Sequence, residues 1–314
     1  MRHTVLLAKE FPKGLVERLA GDYEVIRIDN ARPDALSTDA RAASVLVTLG
    51  SFASGPSLMD ALPNLRLIVT YGTGFEGVDL EAARARGIKI ANGGQSNADA
   101  VAEFAVGLLL ALSRDMVLGD RSLRRAEWRD QIIGRMRISP GVSGQRVGIY
   151  GLGTIGLRIA RLLEPFRVEI AYHNRRQRTD VPYAYHDSLI GLATWANVLM
   201  VAVRADKSNT HAVNADVLRA LGPGGRLVNI SRGIAVDEAA LCDALEQRLI
   251  AGAALDVFEV EPNVPERLIG RDDVILTPHM AAICGNAQRA QFETLKANLA
   301  AHFAGRPPVT LVQG

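Results

Sequence analysis

Residues 146–163, RVGIYGLGTIGLRIARLL, restrict what this 314-residue chain can fold into more than any other stretch. A short apolar run, 147–150, enters Gly151-Leu-Gly153-Thr154-Ile155-Gly156, and an amphipathic helical pattern begins at once. Gly151 suits the tight turn, and Gly153 leaves no side chain above it. Gly156 lets the helix lie close against the strand. The first helical turn presents unpaired amide N–H groups and the positive end of the helix dipole. The pattern therefore predicts a turn that cradles the pyrophosphate of a dinucleotide, with Gly151, Gly153, Thr154, Ile155 and Gly156 as its contacts.

The rest of the chain repeats the alternation of short apolar runs with longer amphipathic segments, which predicts parallel sheets flanked by helices. Strands are expected over 4–8, 24–28, 44–48, 67–70 and 89–91, with helices such as 12–20 and 80–86 between them. A long apolar segment, 98–114, reads as a buried helix connecting two domains. A second strand series follows over 146–150, 168–172, 198–203, 226–230, 253–257 and 274–276, then a helix over 286–304. The expected class is α/β, with two doubly wound, Rossmann-like or flavodoxin-like domains. Residues 1–98 and 284–314 would form a discontinuous substrate-binding domain, 99–283 the dinucleotide-binding domain, and the active site would lie in the cleft between them.

Composition excludes several alternatives. A formal charge of +2 supplies no field toward nucleic acid or membrane surfaces. The Arg-dense stretch from Arg114 to Arg137 is interrupted by Asp115, Asp120, Glu127 and Asp130, so it reads as a solvated or interface surface. Two cysteines give neither a disulfide framework nor metal spacing, and no metal site is expected. The first residues read as a β-strand rather than a signal peptide, and no apolar run approaches the roughly 20 residues of a membrane span. A cytoplasmic location is expected.

Cofactor choice should be set where the second strand of the dinucleotide domain ends. A site for NAD usually places an acid there to hold the ribose 2′-hydroxyl. Here the strand runs into His173-Asn174-Arg175-Arg176. A carboxylate would repel a 2′-phosphate, whereas guanidinium groups pair with it. NADP(H) is therefore the preferred cofactor, with NAD(H) possible.

Three further segments carry reactive side chains just past predicted strands, where open α/β sheets bind ligands. They are Asn229-Ile-Ser-Arg232-Gly233, then Asp256-Val-Phe-Glu-Val-Glu261-Pro262, then Thr277-Pro278-His279. With the Gly-rich turn, Val236-Asp237-Glu238, Tyr71-Gly-Thr73-Gly74, Val78-Asp79 and Val101-Ala-Glu103, they resemble the D-2-hydroxyacid dehydrogenase family. This D-isomer-specific group includes glyoxylate/hydroxypyruvate reductases. The likeness spans nearly the whole chain. It implies reduction of a small 2-keto acid to the D-2-hydroxy acid, with glyoxylate or hydroxypyruvate as substrate. His279 would be the general acid and base, and Glu261 the carboxylate that orients it. Arg232 would bind the substrate carboxylate, joined by the backbone amides of Thr73 and Gly74. Asp256 would meet the nicotinamide carboxamide.

The chain departs from many relatives at Arg204, where they carry Pro or a small residue; Arg204 either adds to 2′-phosphate binding or is a loop cation. A larger substrate such as 2-ketogluconate remains open, as does a non-catalytic, corepressor-like protein that senses the cofactor. The connector helix and the loop around Trp128 resemble the family's dimer arm, so a homodimer is expected.

Overall fold

Neighbouring side chains along the strands fall into different apolar clusters, the mark of parallel sheets covered on both faces. The structure, a computed structural model, describes residues 2–8, 10–11, 13–28, 35–136, 140–204 and 206–312. Pro12 of the expected first helix and Arg137 of the Arg-dense stretch lie outside the described residues. The chain divides into two units: Met1–Asn97 with Cys284–Gly314, and Ala98–Ile283.

The first unit holds five parallel strands, β1 (Thr4–Ala8), β2 (Glu24–Arg27), β3 (Val45–Leu49), β4 (Leu67–Tyr71) and β5 (Lys89–Ala91), in the order β2-β1-β3-β4-β5. Val5 and Leu7 of β1 face one cluster, Leu6 and Ala8 the other. Between the strands run α1 (Lys13–Asp22), α2 (Thr38–Ala42), α3 (Pro56–Ala61) and α4 (Leu80–Ala85). Ser37 and Asp79 cap α2 and α4, each accepting from an amide of the first turn. The last helix of the chain, Gly285–Phe303, returns to this unit and buries Phe292, Leu295 and Leu299 beside Val5 and Leu7. Beyond it, Leu311 pairs with Ala91 and the Val312 amide donates to the Ile90 carbonyl at 2.8 Å.

The second unit opens with α5 (Ala98–Ser113), α6 (Met116–Arg124) and α7 (Arg129–Ile132). Its seven strands are β6 (Arg146–Tyr150), β7 (Glu169–His173), β8 (Ala184–Tyr185), β9 (Val198–Val201), β10 (Arg226–Asn229), β11 (Gly252–Leu255) and β12 (Val274–Leu276). All are parallel, in the order β12-β11-β10-β9-β6-β7-β8. The helices among them are α8 (Thr154–Leu163), α9 (Leu189–Trp195), α10 (Ala215–Leu221) and α11 (Glu238–Glu246), and Gly285–Phe303 is α12. The expected buried helix is α5; its Ala102, Ala105 and Leu109 pack with Ile159 and Leu163 of α8 over one sheet face.

Both sheets are doubly wound and parallel, as the alternation predicts. Strand order reverses between β1 and β3 in the first unit and between β6 and β9 in the second. Such switch points open a crevice at the carboxyl ends of the strands. The two-residue β8 was not anticipated, because two residues carry no period. Among the described residues no helix is long and apolar enough to cross a membrane.

The Arg-dense region is locally neutralised among its described residues. Arg124 pairs with Asp120 at 2.9 Å, and Arg125 and Arg135 both pair with Glu127. Arg125 and then Arg135 hold the Glu127 carboxyl down to about 2.

Candidate active site

The three glycines after β6 each have a distinct structural consequence. Gly151 has φ +98°, and a side chain there would overlap the backbone of Val203. A Cβ on Gly156 would overlap the Gly151 carbonyl, so only glycine lets α8 start this close to the strand. A Cβ on Gly153 would meet no atom within 4 Å. The turn is thus crowded on its inner side and open at Gly153, where the first amides of the ten-residue α8 emerge. That shape and polarity fit a bound pyrophosphate. Thr154 is exposed as the first residue of α8, while the Ile155 side chain packs into the core beneath.

Asn174 shapes this turn directly: its Oδ1 accepts from the Leu152 amide at 2.7 Å. Arg178, which sequence reasoning passed over, donates from Nη1 to the Leu152 carbonyl at 2.9 Å and from Nε to Asp180, also at 2.9 Å. Between these anchors Arg175 and Arg176 are exposed. Arg175 lies 3.8 Å from Asp206 across the gap to the loop after β9, with its side chain 86% exposed. Arg204 leads into the same loop. Bonds from the Ser208 hydroxyl and amide hold the Asp206 carboxyl below the usual range, helped by the charges of Arg175 and Arg204. Asp206 is an acid beside the expected 2′-phosphate cations, and it sits about 30 residues beyond the position where an NAD-selecting acid normally falls.

Downstream of β10 and β11 the reactive segments converge on one backbone unit. Gly233 packs so tightly that any side chain would overlap the Phe258–Glu259 peptide. This close approach sets the Arg232 turn beside the segment carrying Glu261, and it explains why glycine follows the arginine. Asn229 secures the turn from below: its Nδ2 donates to the Arg232 carbonyl at 3.1 Å, and its Oδ1 accepts from the Ser231 amide and hydroxyl. The Arg232 side chain is partly buried, with Nη1 donating to the Ser231 carbonyl at 2.7 Å.

His279 and Glu261 form a pair. Nδ1 of His279 lies 2.8 Å from Oε2 of Glu261, and Oε1 of Glu261 accepts from the Phe258 amide at 3.2 Å. An ionised carboxylate only accepts, so Nδ1 carries the proton and Nε2 is left for other partners. The His279 side chain is 46% exposed. Its backbone has φ +49°, an uncommon state for a residue with a Cβ, held by the His279 amide donating to Asp256 and Thr277 carbonyls. Asp256, expected at the nicotinamide, is engaged by the loop that follows it in space. Buried to 1% exposure, its carboxylate accepts from the Thr277 hydroxyl at 2.6 Å, the Met280 amide at 2.9 Å and the Ala281 amide at 3.0 Å. It thereby clamps the loop that presents His279.

In the first unit, Thr73 and Gly74 follow β4 in a stack of closely approaching turns. A Cβ on Gly50 would overlap the Gly74 peptide, and one on Gly93 would press on Gly72. The Gly77 amide donates to the Gly50 carbonyl at 2.6 Å and the Gly93 amide to Gly72. Asn92, unnoticed in the sequence, donates from Nδ2 to the Thr73 carbonyl at 2.8 Å and accepts from the Gly94 amide. Behind it Asn298, fully buried, bonds the Thr310 hydroxyl and amide. Among the described residues no group of His, Cys, Asp and Glu could hold a metal ion.

Comparison with known proteins agrees with this geometry. Residues 106–281 match the family model for the D-isomer specific 2-hydroxyacid dehydrogenase, NAD binding domain. A hydroxyphenylpyruvate reductase of Plectranthus scutellarioides is 37% identical over 282 residues, covering 90% of this chain and 89% of the relative. A 2-ketogluconate reductase of Gluconobacter oxydans is 36% identical over 269 residues, 85% of each. The crystal structure of an NADPH-dependent glyoxylate/hydroxypyruvate reductase from Sinorhizobium meliloti, in complex with NADP and malonate, has a TM-score of 0.90. It is 40% identical and covers 99% of this chain and 97% of that one. The chain belongs to the D-isomer specific 2-hydroxyacid dehydrogenase family of nicotinamide-dependent oxidoreductases.

Proposed function

We propose that the protein reduces a small 2-keto acid, glyoxylate or hydroxypyruvate, to the D-2-hydroxy acid, with NADPH preferred over NADH. The observation that carries this reading is the His279–Glu261 pair, with Nδ1 held at 2.8 Å and Nε2 left for a substrate. Bound at the Gly151–Gly156 turn, the nicotinamide cofactor supplies the hydride. Arg232 would hold the substrate carboxylate with its permanently charged fork and polarise the adjacent carbonyl, and the amides of Thr73 and Gly74 would complete that anion site. His279 would give its Nε2 proton to the carbonyl oxygen as negative charge grows there. Before that transfer both ring nitrogens would carry protons, and afterwards the ring would be left neutral with its Nδ1 proton bonded to Glu261, which fixes its orientation throughout. Arg175 and Arg176, with Arg204 beside them, would pair with the 2′-phosphate. The Sinorhizobium relative, an NADPH-dependent glyoxylate/hydroxypyruvate reductase, supports the same cofactor and substrates.

The test is initial rates with NADPH and NADH against glyoxylate and hydroxypyruvate. Faster turnover with NADPH is the expected result. Turnover with NADH alone would remove the role of the arginines, and no turnover on either acid would remove the substrate assignment. The reductive direction consumes a proton, so reduction should slow and hydroxy-acid oxidation quicken as pH rises. A second reading, a larger sugar-derived keto acid such as 2-ketogluconate, is supported by the Gluconobacter relative and belongs in the same assay. The reading includes a homodimer. Met116, Leu123, Trp128 and Ile133 are each more than half exposed along one stretch, and a second copy of the chain would bury them. A monomer in sedimentation at micromolar concentration would refute it.

A further inference from the structure

The segment that carries Glu261 is held by a second pair of carboxylates lying outside the chemistry just described. Glu238 opens α11, and Glu259 lies two residues before Glu261. Oε1 of Glu259 accepts from the Glu238 amide at 2.9 Å, and Oε1 of Glu238 accepts from the Glu259 amide at 2.8 Å. The bonds are reciprocal, so each acid caps the other's backbone. Oε1 of Glu259 also lies 3.1 Å from Nε2 of His211. His211 is itself fixed with φ +52° by its amide donating to the Ile234 carbonyl at 2.7 Å. The Phe258–Glu259 peptide is thereby gripped from three sides. Gly233 presses on it, Glu238 accepts from its N–H, and the preceding Phe258 N–H carries the carboxylate of Glu261.

We infer that Glu238 and Glu259 are positioning residues, a reciprocal brace that holds the Phe258–Glu261 segment so that Glu261 stays bonded to both the Phe258 amide and His279. The inference rests on the assignment of Glu261 and His279 to catalysis. It accounts for an acid at Glu238 that has no place in substrate or cofactor binding, and for two carboxylates set close together in spite of their mutual repulsion. Charge-assisted bonds to backbone amides are strong enough to fix a loop, and a shorter side chain at either position leaves one partly buried amide without its partner.

The test compares Glu238→Ala with the conservative Glu238→Gln, whose amide oxygen can still accept from the Glu259 N–H. Glu238→Ala should lower kcat about ten-fold while the KM for NADPH stays within about two-fold. Glu238→Gln should restore kcat to within about two-fold of the parent. Amide hydrogen exchange on the chain without substrate reads the brace separately. The Phe258 and Glu259 amides should exchange at least about ten-fold faster in Glu238→Ala, and at the parent rate in Glu238→Gln. Unchanged exchange in the alanine variant would overturn the brace. Faster exchange with unchanged kcat would overturn its positioning role, as would a glutamine variant as slow as the alanine one. A parent protein that turns over no keto acid would defeat the proposed function alone, because the Phe258 amide still reports the grip on Glu261.

Discussion

Two glycine-rich turns, each at the carboxyl end of a parallel strand, serve opposite ends. The turn after β6 leads straight into α8, and its middle glycine, Gly153, faces open space. The turn after β4 leads into no helix; Gly72 and Gly74 are instead pressed against Gly93 and Gly50 of the neighbouring turns. In the second unit glycine makes room for a ligand beside a helix N-terminus. In the first it makes room for another stretch of backbone, and the turn at Thr73 and Gly74 is packed against its neighbours. The same residue type therefore marks a vacancy in one place and a close contact in the other.

The difference extends to how each site is built. The second unit presents charged side chains, Arg232, Glu261 and His279, and removing one should be costly to chemistry and harmless to the fold. His279→Ala should lower kcat about 10²–10⁴-fold with the NADPH dissociation constant unchanged, read by single-turnover rates and fluorescence titration. A loss smaller than about ten-fold would break the assignment of the proton donor.

Glycine substitutions sharpen the contrast between the turns. Gly50→Ala places a methyl against the Gly74 peptide, so it should destabilise the protein by about 1–3 kcal/mol. Thermal unfolding would show it, with a raised KM for the keto acid. Gly153→Ala meets no protein atom, so it should leave the melting temperature within about 2 °C. It should still weaken NADPH binding, and equal stability losses in the two variants would erase the distinction. A smaller effect is expected at the cofactor-selecting cations. Replacing Arg175 and Arg176 by alanine should lower the NADPH-over-NADH ratio of kcat/KM about ten-fold, which corresponds to roughly 1.4 kcal/mol.

The smallest effect concerns the brace. Burial pushes the Glu238 carboxyl above its usual range. The amide of Glu259 and the charge of His211 oppose that rise, while the charges of Glu259 and Glu261 add to it. A raised folded value means that the native state binds the proton more tightly than the unfolded chain. Stability is then lost as pH climbs from about 4.3 through the folded value. Glu238→Gln lacks this penalty. Its melting temperature should exceed the parent's at pH 8 and match it at pH 4, and a constant gap would show that Glu238 does not titrate in this window.

Much of this protein was legible one residue at a time. Strands β1, β5, β6 and β12 fall where the pattern puts them, and the other expected strands shift by one or two residues at an end, because a buried parallel strand needs only a short apolar run between turn signals. The Gly151–Gly156 turn and the order of Arg232, Glu261 and His279 were equally plain, since their chemistry resides in side-chain identity. What the sequence left hidden depends on which backbone groups meet. Asp256 reads as an acid past a strand, yet only the folded loop shows its carboxylate engaged by Thr277, Met280 and Ala281. Asn92, Arg178 and the Glu238–Glu259 pair act on amides and carbonyls 19 to 26 positions away, and no local pattern records such a partner. Sequence determined the elements and the reactive groups, because propensity, period and charge are local. Tertiary structure decided which groups are held and by what, because a hydrogen bond to a distant backbone exists only once the chain has closed on itself.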